Sequence, residues 1–144
     1  MELTKTKERI VMSKAMERAK ELRSGSCGNY NCAQAVLIPV WEEMGLDPDM
    51  AKGLSKNFGV GMKIGSTCGA ITGGLMVLGL KGASDATVSE YLRILKERHG
   101  GSLNCPDLLR KNQELAKMNK KAHCDGMILE SIQLAEELLA KEGK

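Results

Sequence analysis

The chain has 144 residues, 42% hydrophobic and 27% charged: one domain's worth of ordinary globular composition, which excludes wholesale disorder. Only 3% of the residues are aromatic, too few for a surface that stacks nucleic-acid bases, and a net charge of +3 is too mild to specify a nucleic-acid partner. Nine Met and 16 Gly call for an aliphatic, Met-rich core with close backbone approaches.

The first predicted element is an amphipathic helix within residues 1–23, periodic from Thr4 to Arg23. Val11, Met12, Ala15, Met16, Ala19 and Leu22 fall three and four apart, with Lys, Arg and Glu on the other face. Ser24-Gly25-Ser26-Cys27-Gly28 ends it. Asn31 caps a second helix to about Met44, closed by Gly45, and Pro39 is expected to kink it or shift its start. Asp47-Pro48 opens a short third helix ending near Phe58-Gly59. The loop from Gly59 to Gly65 has no Gly-Lys-Ser/Thr and no strand before it, so it is not a phosphate loop. Its glycines are expected to shape the approach to Cys68, with Lys63 adding positive charge.

Ser66 caps a fourth, apolar helix to about Leu80. A fifth runs from Ser84 or Asp85 to His99-Gly100-Gly101, where His99 is a favourable cation at a helix C-terminus. Cys105-Pro106-Asp107 opens a short helical segment. The last helix is placed from about Asp125 to Lys141 on the stripe Ile128, Ile132, Ala135 and Leu139. No segment alternates with period two. The expected fold is therefore all-α: a single domain over residues 1–144, a bundle of five or six helices. The Gly-rich apolar helix is central, and the first and last helices cover it.

The N-terminus is charged and shows no secretory signal. The uncharged stretches between Arg23 and Glu42 and between Lys63 and Lys81 fall short of the ~20 residues of a spanning helix. No stable membrane insertion is expected, and the expected compartment is the cytoplasm. In that reducing setting, cysteines are metal ligands or redox thiols rather than structural disulfides.

The five cysteines are Cys27, Cys32, Cys68, Cys105 and Cys124. Four of them, Cys32, Cys68, Cys105 and Cys124, are placed by the pattern in the first turn of four different helices. Free N–H groups and the positive dipole end there favour a thiolate, which is both redox nucleophile and metal ligand. No C-x-x-C occurs, which removes the thioredoxin motif and zinc knuckles. His123 adjoins Cys124 as a proton donor, an alternative ligand or a surface residue. Gly69 and Gly73 lie on one helix face with Ala70 and Gly74. Each Gly costs roughly 1 kcal/mol in a helix interior, so a close approach by another helix or a bound cluster is implied.

Cys68-Gly69-Ala70-Ile71-Thr72-Gly73 forms a CGAxxG motif, with Asn31-Cys32-Ala33-Gln34-Ala35 upstream and single cysteines at 105 and 124 downstream. This order resembles the redox-active family named for its pattern, C_GCAxxG_C_C, over nearly the whole chain. The family name spells Gly-Cys-Ala where this chain has Cys68-Gly69-Ala70. The resemblance maps the four signature cysteines onto Cys32, Cys68, Cys105 and Cys124, leaves Cys27 outside, and implies a redox role through those four.

Three kinds of function follow. The foremost expectation is an Fe–S cluster for electron transfer held by Cys32, Cys68, Cys105 and Cys124, with Gly69 and Gly73 close to it and a redox partner protein not named by the sequence. The second is a thiol–disulfide redox protein using the same four cysteines as redox-active thiols without metal; zinc on four thiolates is a variant of the metal case. The third is a non-catalytic interaction module, a homodimer through an exposed glycine face with its cysteines merely buried.

Overall fold

The computed structural model describes residues 12–25, 30–115 and 119–144. They form an all-α arrangement of seven α-helices: α1 (Lys14–Arg23), α2 (Cys32–Glu43), α3 (Pro48–Leu54), α4 (Gly69–Leu80), α5 (Asp85–Arg98), α6 (Cys105–Leu115) and α7 (Lys120–Lys141). A 3₁₀ turn (Lys56–Phe58) and a π-type turn (Gly61–Gly65) join α3 to α4. None of the described helices is long and apolar enough to cross a membrane.

The described part of α1 is shorter than the expected helix. Ser13 is extended and accepts from the Met16 amide at 3.2 Å, so it caps a helix that starts at Lys14. The stretch before Met12 lies outside the described residues. Ala15, Met16, Ala19 and Leu22 are buried, as their spacing requires. At α2 the Asn31 side chain accepts from the Gln34 amide (2.8 Å), and the Gln34 side chain accepts from the Asn31 amide (2.9 Å), a reciprocal capping box. The helix runs unbroken through Pro39, with no shift of its start. Residues Ala33–Val40 are all buried, so packing on every side holds a helix that Pro39 alone would weaken.

Helix α4 lies against α2, and α7 packs on both, with α1 over α2 and α7. Three glycines make this possible. A Cβ at Gly73 would lie 2.9 Å from Val36 Cβ and 3.0 Å from the Ala33 carbonyl. One at Gly69 would lie 2.7 Å from the Phe58 carbonyl and 3.3 Å from Cys32 Cβ, and one at Gly74 would overlap the Tyr91 hydroxyl. Tyr91 is fully buried and donates to the Ile71 carbonyl at 3.0 Å. The glycine face is thus filled from within the chain, by α2 and by Tyr91 of α5; it is not the exposed seam expected for a homodimer.

Helix α7 starts five residues earlier than the expected Asp125. Asn119 accepts from the Ala122 amide at 2.7 Å and caps it at Lys120. The segment at Cys105 is a full 11-residue helix. The starts of α4 and α6 are stitched together by an antiparallel bridge between Thr67 and Asn104: the Cys68 amide donates to Leu103 and the Cys105 amide to Ser66, both at 2.8 Å. Beside this bridge, Val60, Met62 and Lys63 hold φ of 53°, 60° and 67°. Such left-handed conformations cost non-glycine residues about 1–3 kcal/mol each. Val60 and Ile64 of this loop, with Met50 and Leu54 of α3, project apolar side chains into solvent.

Candidate functional site

The four cysteines that the sequence singles out come from four helices. Cys32 is the first residue of α2, Cys68 is the N-cap of α4 and Cys105 is the first residue of α6. Cys124 is not at a helix start: with α7 beginning at Lys120, it lies in the second turn. Cys27 lies outside the described residues.

Two local devices bring the sulfurs together. Gly69 has no side chain to hold Cys32 away, so the start of α2 touches the start of α4. The Thr67–Asn104 bridge sets Cys68 and Cys105 side by side. Gly73, expected to serve the site, packs one turn further on against Ala33 and Val36. Gly65 approaches the Pro106 ring, so the 59–65 loop does border the starts of α4 and α6.

The thiols differ sharply in their proton affinity. Cys32 and Cys124 are hydrogen-bonded to each other. The Cys32 thiol donating to it holds Cys124 down to about 6 from the ordinary 9.0, and the charges of Arg23 and Lys120 add to this against the cost of burial and the nearby Asp125. The same hydrogen bond, then burial and the Cys124 charge, push Cys32 up. Burial pushes Cys68 up to about 11, outweighing the opposing influence of the Ile71 and Ala70 amides at the start of α4. Cys105 is pushed up by burial and by the Cys124 charge, with Lys120 opposing. Of the four thiols Cys124 alone is shifted down, and the cause is a thiol partner and nearby charge rather than free helix amides.

Arg23, which sequence reasoning passed over, organises this end of the molecule. Its Nε donates to Asp125 Oδ1 at 2.8 Å and its Nη1 to the Tyr30 carbonyl at 2.7 Å, tying the end of α1 to α7 and to the lead-in of α2. Nothing in an amphipathic pattern signals a partner 102 residues away. Lys63, the cation expected near the site, is not the leading charge on any of the four thiols; Arg23 and Lys120 act there. His123 is buried, and burial and the neighbouring His99 lower its pKa. Consecutive helix residues do not face each other, and His99 is the charge that acts on His123. His99 caps α5 as expected and pairs with Glu130 at 2.9 Å.

A metal or cluster would need three or four of these sulfurs converged at once. The donor chemistry suits it, but the spacing does not. Among the described residues, no three His, Cys, Asp or Glu side chains are grouped closely enough to hold a metal ion. One pair touches, and the other two thiols reach it through charge alone.

Comparison with curated proteins and with solved structures gives no match. The family described as "Putative redox-active protein (C_GCAxxG_C_C)" matches residues 30–138, a span that contains all four of these cysteines and leaves Cys27 out. The match covers most of the chain, and the chain belongs to the C_GCAxxG_C_C family.

Proposed function

We propose that the protein is a thiol–disulfide redox protein in which Cys124 is the attacking thiolate and Cys32 the resolving thiol. The supporting observation is the Cys32–Cys124 hydrogen bond, with Cys124 alone pulled down to about 6.

The exchange balances as follows. The Cys124 thiolate attacks one sulfur of a substrate disulfide, forming a mixed disulfide and expelling a substrate thiolate that takes up a proton. Cys32 then loses its proton, attacks the Cys124 sulfur and closes a Cys32–Cys124 disulfide, releasing the second substrate sulfur as a thiol. Two electrons pass from the cysteine pair to the substrate, and the reverse reaction oxidises a dithiol. The second step is favoured by the first. Once Cys124 is bonded, its negative charge no longer holds the Cys32 proton in place, and Arg23 then favours a Cys32 thiolate.

The gain in the first step is modest. At pH 7 a thiol with a pKa near 6 is about 90% ionised against about 1% at 9, but its weaker nucleophilicity takes back roughly twentyfold, leaving a net gain of about fourfold. In resolution the substrate sulfur leaves; Cys124 is the leaving group in the last step of the reverse reaction, when the substrate closes its own disulfide, and its low pKa speeds departure there.

The test is made on protein purified without oxygen. Iron, sulfide and zinc are assayed, a visible spectrum is recorded, and thiols are counted before and after mild oxidation, with peptide mapping. The expected result is a colourless, metal-free protein that reversibly loses two thiols as a Cys32–Cys124 disulfide. Stoichiometric iron and sulfide with broad absorption near ~400 nm would replace this reading with an Fe–S cluster on Cys32, Cys68, Cys105 and Cys124. Stoichiometric zinc would replace it with a closed zinc site.

A further inference from the structure

Beside the reacting pair, α1 and α7 leave a cleft of about 250 Å³. Ala19, Ile128 and Leu129 make an apolar floor, and Lys20, Arg23, Lys121 and Asp125 line it. Asp125 is already paired on both sides, with Arg23 at 2.8 Å and Lys121 at 2.7 Å. One carboxylate stands among three cations, so the cleft is positive. It reaches the chemistry through Arg23, which lines the cleft and lies within charge range of both Cys32 and Cys124. Arg23 uses Nε and Nη1 for Asp125 and Tyr30, which leaves Nη2 without a hydrogen-bond partner among the described residues.

From this cleft, and resting on the thiol–disulfide reading, we propose that the substrate is a small disulfide bearing carboxylates, one acidic arm of which sits between Lys20, Arg23 and Lys121 while its sulfur faces Cys124. The volume decides between a small molecule and a larger partner. It is below the roughly 300–1,000 Å³ of a site that encloses a drug-sized ligand, so it takes one arm rather than a whole ligand. A charged arm held by Arg and Lys against an apolar floor orients the disulfide before reaction.

The test compares rates of the reduced full chain with three symmetrical disulfides: dithiodiglycolate (two carboxylates), 2-hydroxyethyl disulfide (neutral) and cystamine (two ammonium groups). The expected order at low salt is acidic, neutral, basic, with the acidic probe at least tenfold faster than the basic one. The ratio should collapse in 1 M salt. Lys20→Gln and Lys121→Gln should each cut the acidic-to-neutral ratio severalfold. Lys96→Gln, which removes an equal charge from the exposed face of α5, should leave that ratio as it was. Equal, salt-insensitive rates for all three probes would overturn this inference and leave the thiol–disulfide reading standing. No reaction with any probe would overturn that reading itself. A preference for a disulfide-bonded acidic protein over dithiodiglycolate would assign the cleft to a protein partner instead.

Discussion

Cys68 and Cys124 are the same residue in opposite settings. Cys68 is the N-cap residue of α4, where the Ile71 and Ala70 amides favour its thiolate, yet burial pushes it up to about 11. Cys124 sits a full turn into α7, away from any free amide, and is held down to about 6 by the Cys32 thiol, Arg23 and Lys120. A helix start is worth a fraction of a kcal/mol up to about 2 kcal/mol to an anion. Burial without a countercharge outweighs that, whereas a hydrogen-bond donor and two cations do not merely offset burial but reverse it. A thiol's place in a helix is thus a weaker guide to its chemistry than the charges that the fold brings to it.

The packed end is the place to break this contrast most strongly. Gly74→Ala would force a methyl into the Tyr91 hydroxyl, which is fixed on the Ile71 carbonyl. Overpacking of this kind costs about 1–3 kcal/mol or more, read as a lower denaturant midpoint. The Cys124 titration should stay near its original midpoint, because none of its causes lies on α4.

Cys32→Ala removes the largest cause of the Cys124 depression. Its ionisation midpoint, followed by thiolate absorbance or alkylation rate, should rise by more than about one unit toward the ordinary thiol value. The contrast also sets the pH dependence of stability. Cys124 has a lowered folded value, so its contribution is present above the unfolded value of 9.0 and is lost as pH falls through about 6. Cys68 has a raised value, so its contribution is present below 9.0 and is lost as pH rises through about 11, with Cys32 acting in the same direction. The thiols together should make denaturation midpoints climb between pH 6 and 9 and fall between 9 and 11. Cys124→Ser should flatten the first limb and Cys68→Ser should weaken the second.

Arg23→Gln is a smaller change than Cys32→Ala, because a charge is lost while the thiol donor remains. The expected rise in the Cys124 midpoint is about one unit. Lys120→Gln should move it by a few tenths of a unit, in line with its place behind Arg23 among the causes.

Much of the scaffold is legible in the sequence. The 3.6-residue spacing of Ala15, Ala19 and Leu22 fixes the buried face of α1, and Asn31 with Gln34 spells out the start of α2. The crowding implied by Gly69, Gly73 and Gly74 is found, although α2 and Tyr91 supply it rather than a second copy. The start of α7 is hidden because Lys120 and Lys121 place cations at the positive end of the helix dipole, while the cap at Asn119 is what holds. The Thr67–Asn104 bridge leaves no periodic trace, since it pairs single residues 37 apart. The Arg23–Asp125 contact is equally invisible, because an arginine on the polar face of a helix is ordinarily solvated. Cys32, Cys68, Cys105 and Cys124 stand out in the sequence by position and order. Their ranking does not, because it depends on tertiary charges.

The most direct measurement is a residue-resolved titration of the reduced protein: iodoacetamide labelling from pH 4 to 10, quantified at each cysteine by mass spectrometry. The expected result is a Cys124 midpoint near 6, with Cys32, Cys68 and Cys105 unlabelled until above 9. A Cys124 midpoint at or above 9, or Cys68 ionising first, would contradict the assignment of Cys124 as the attacking thiolate.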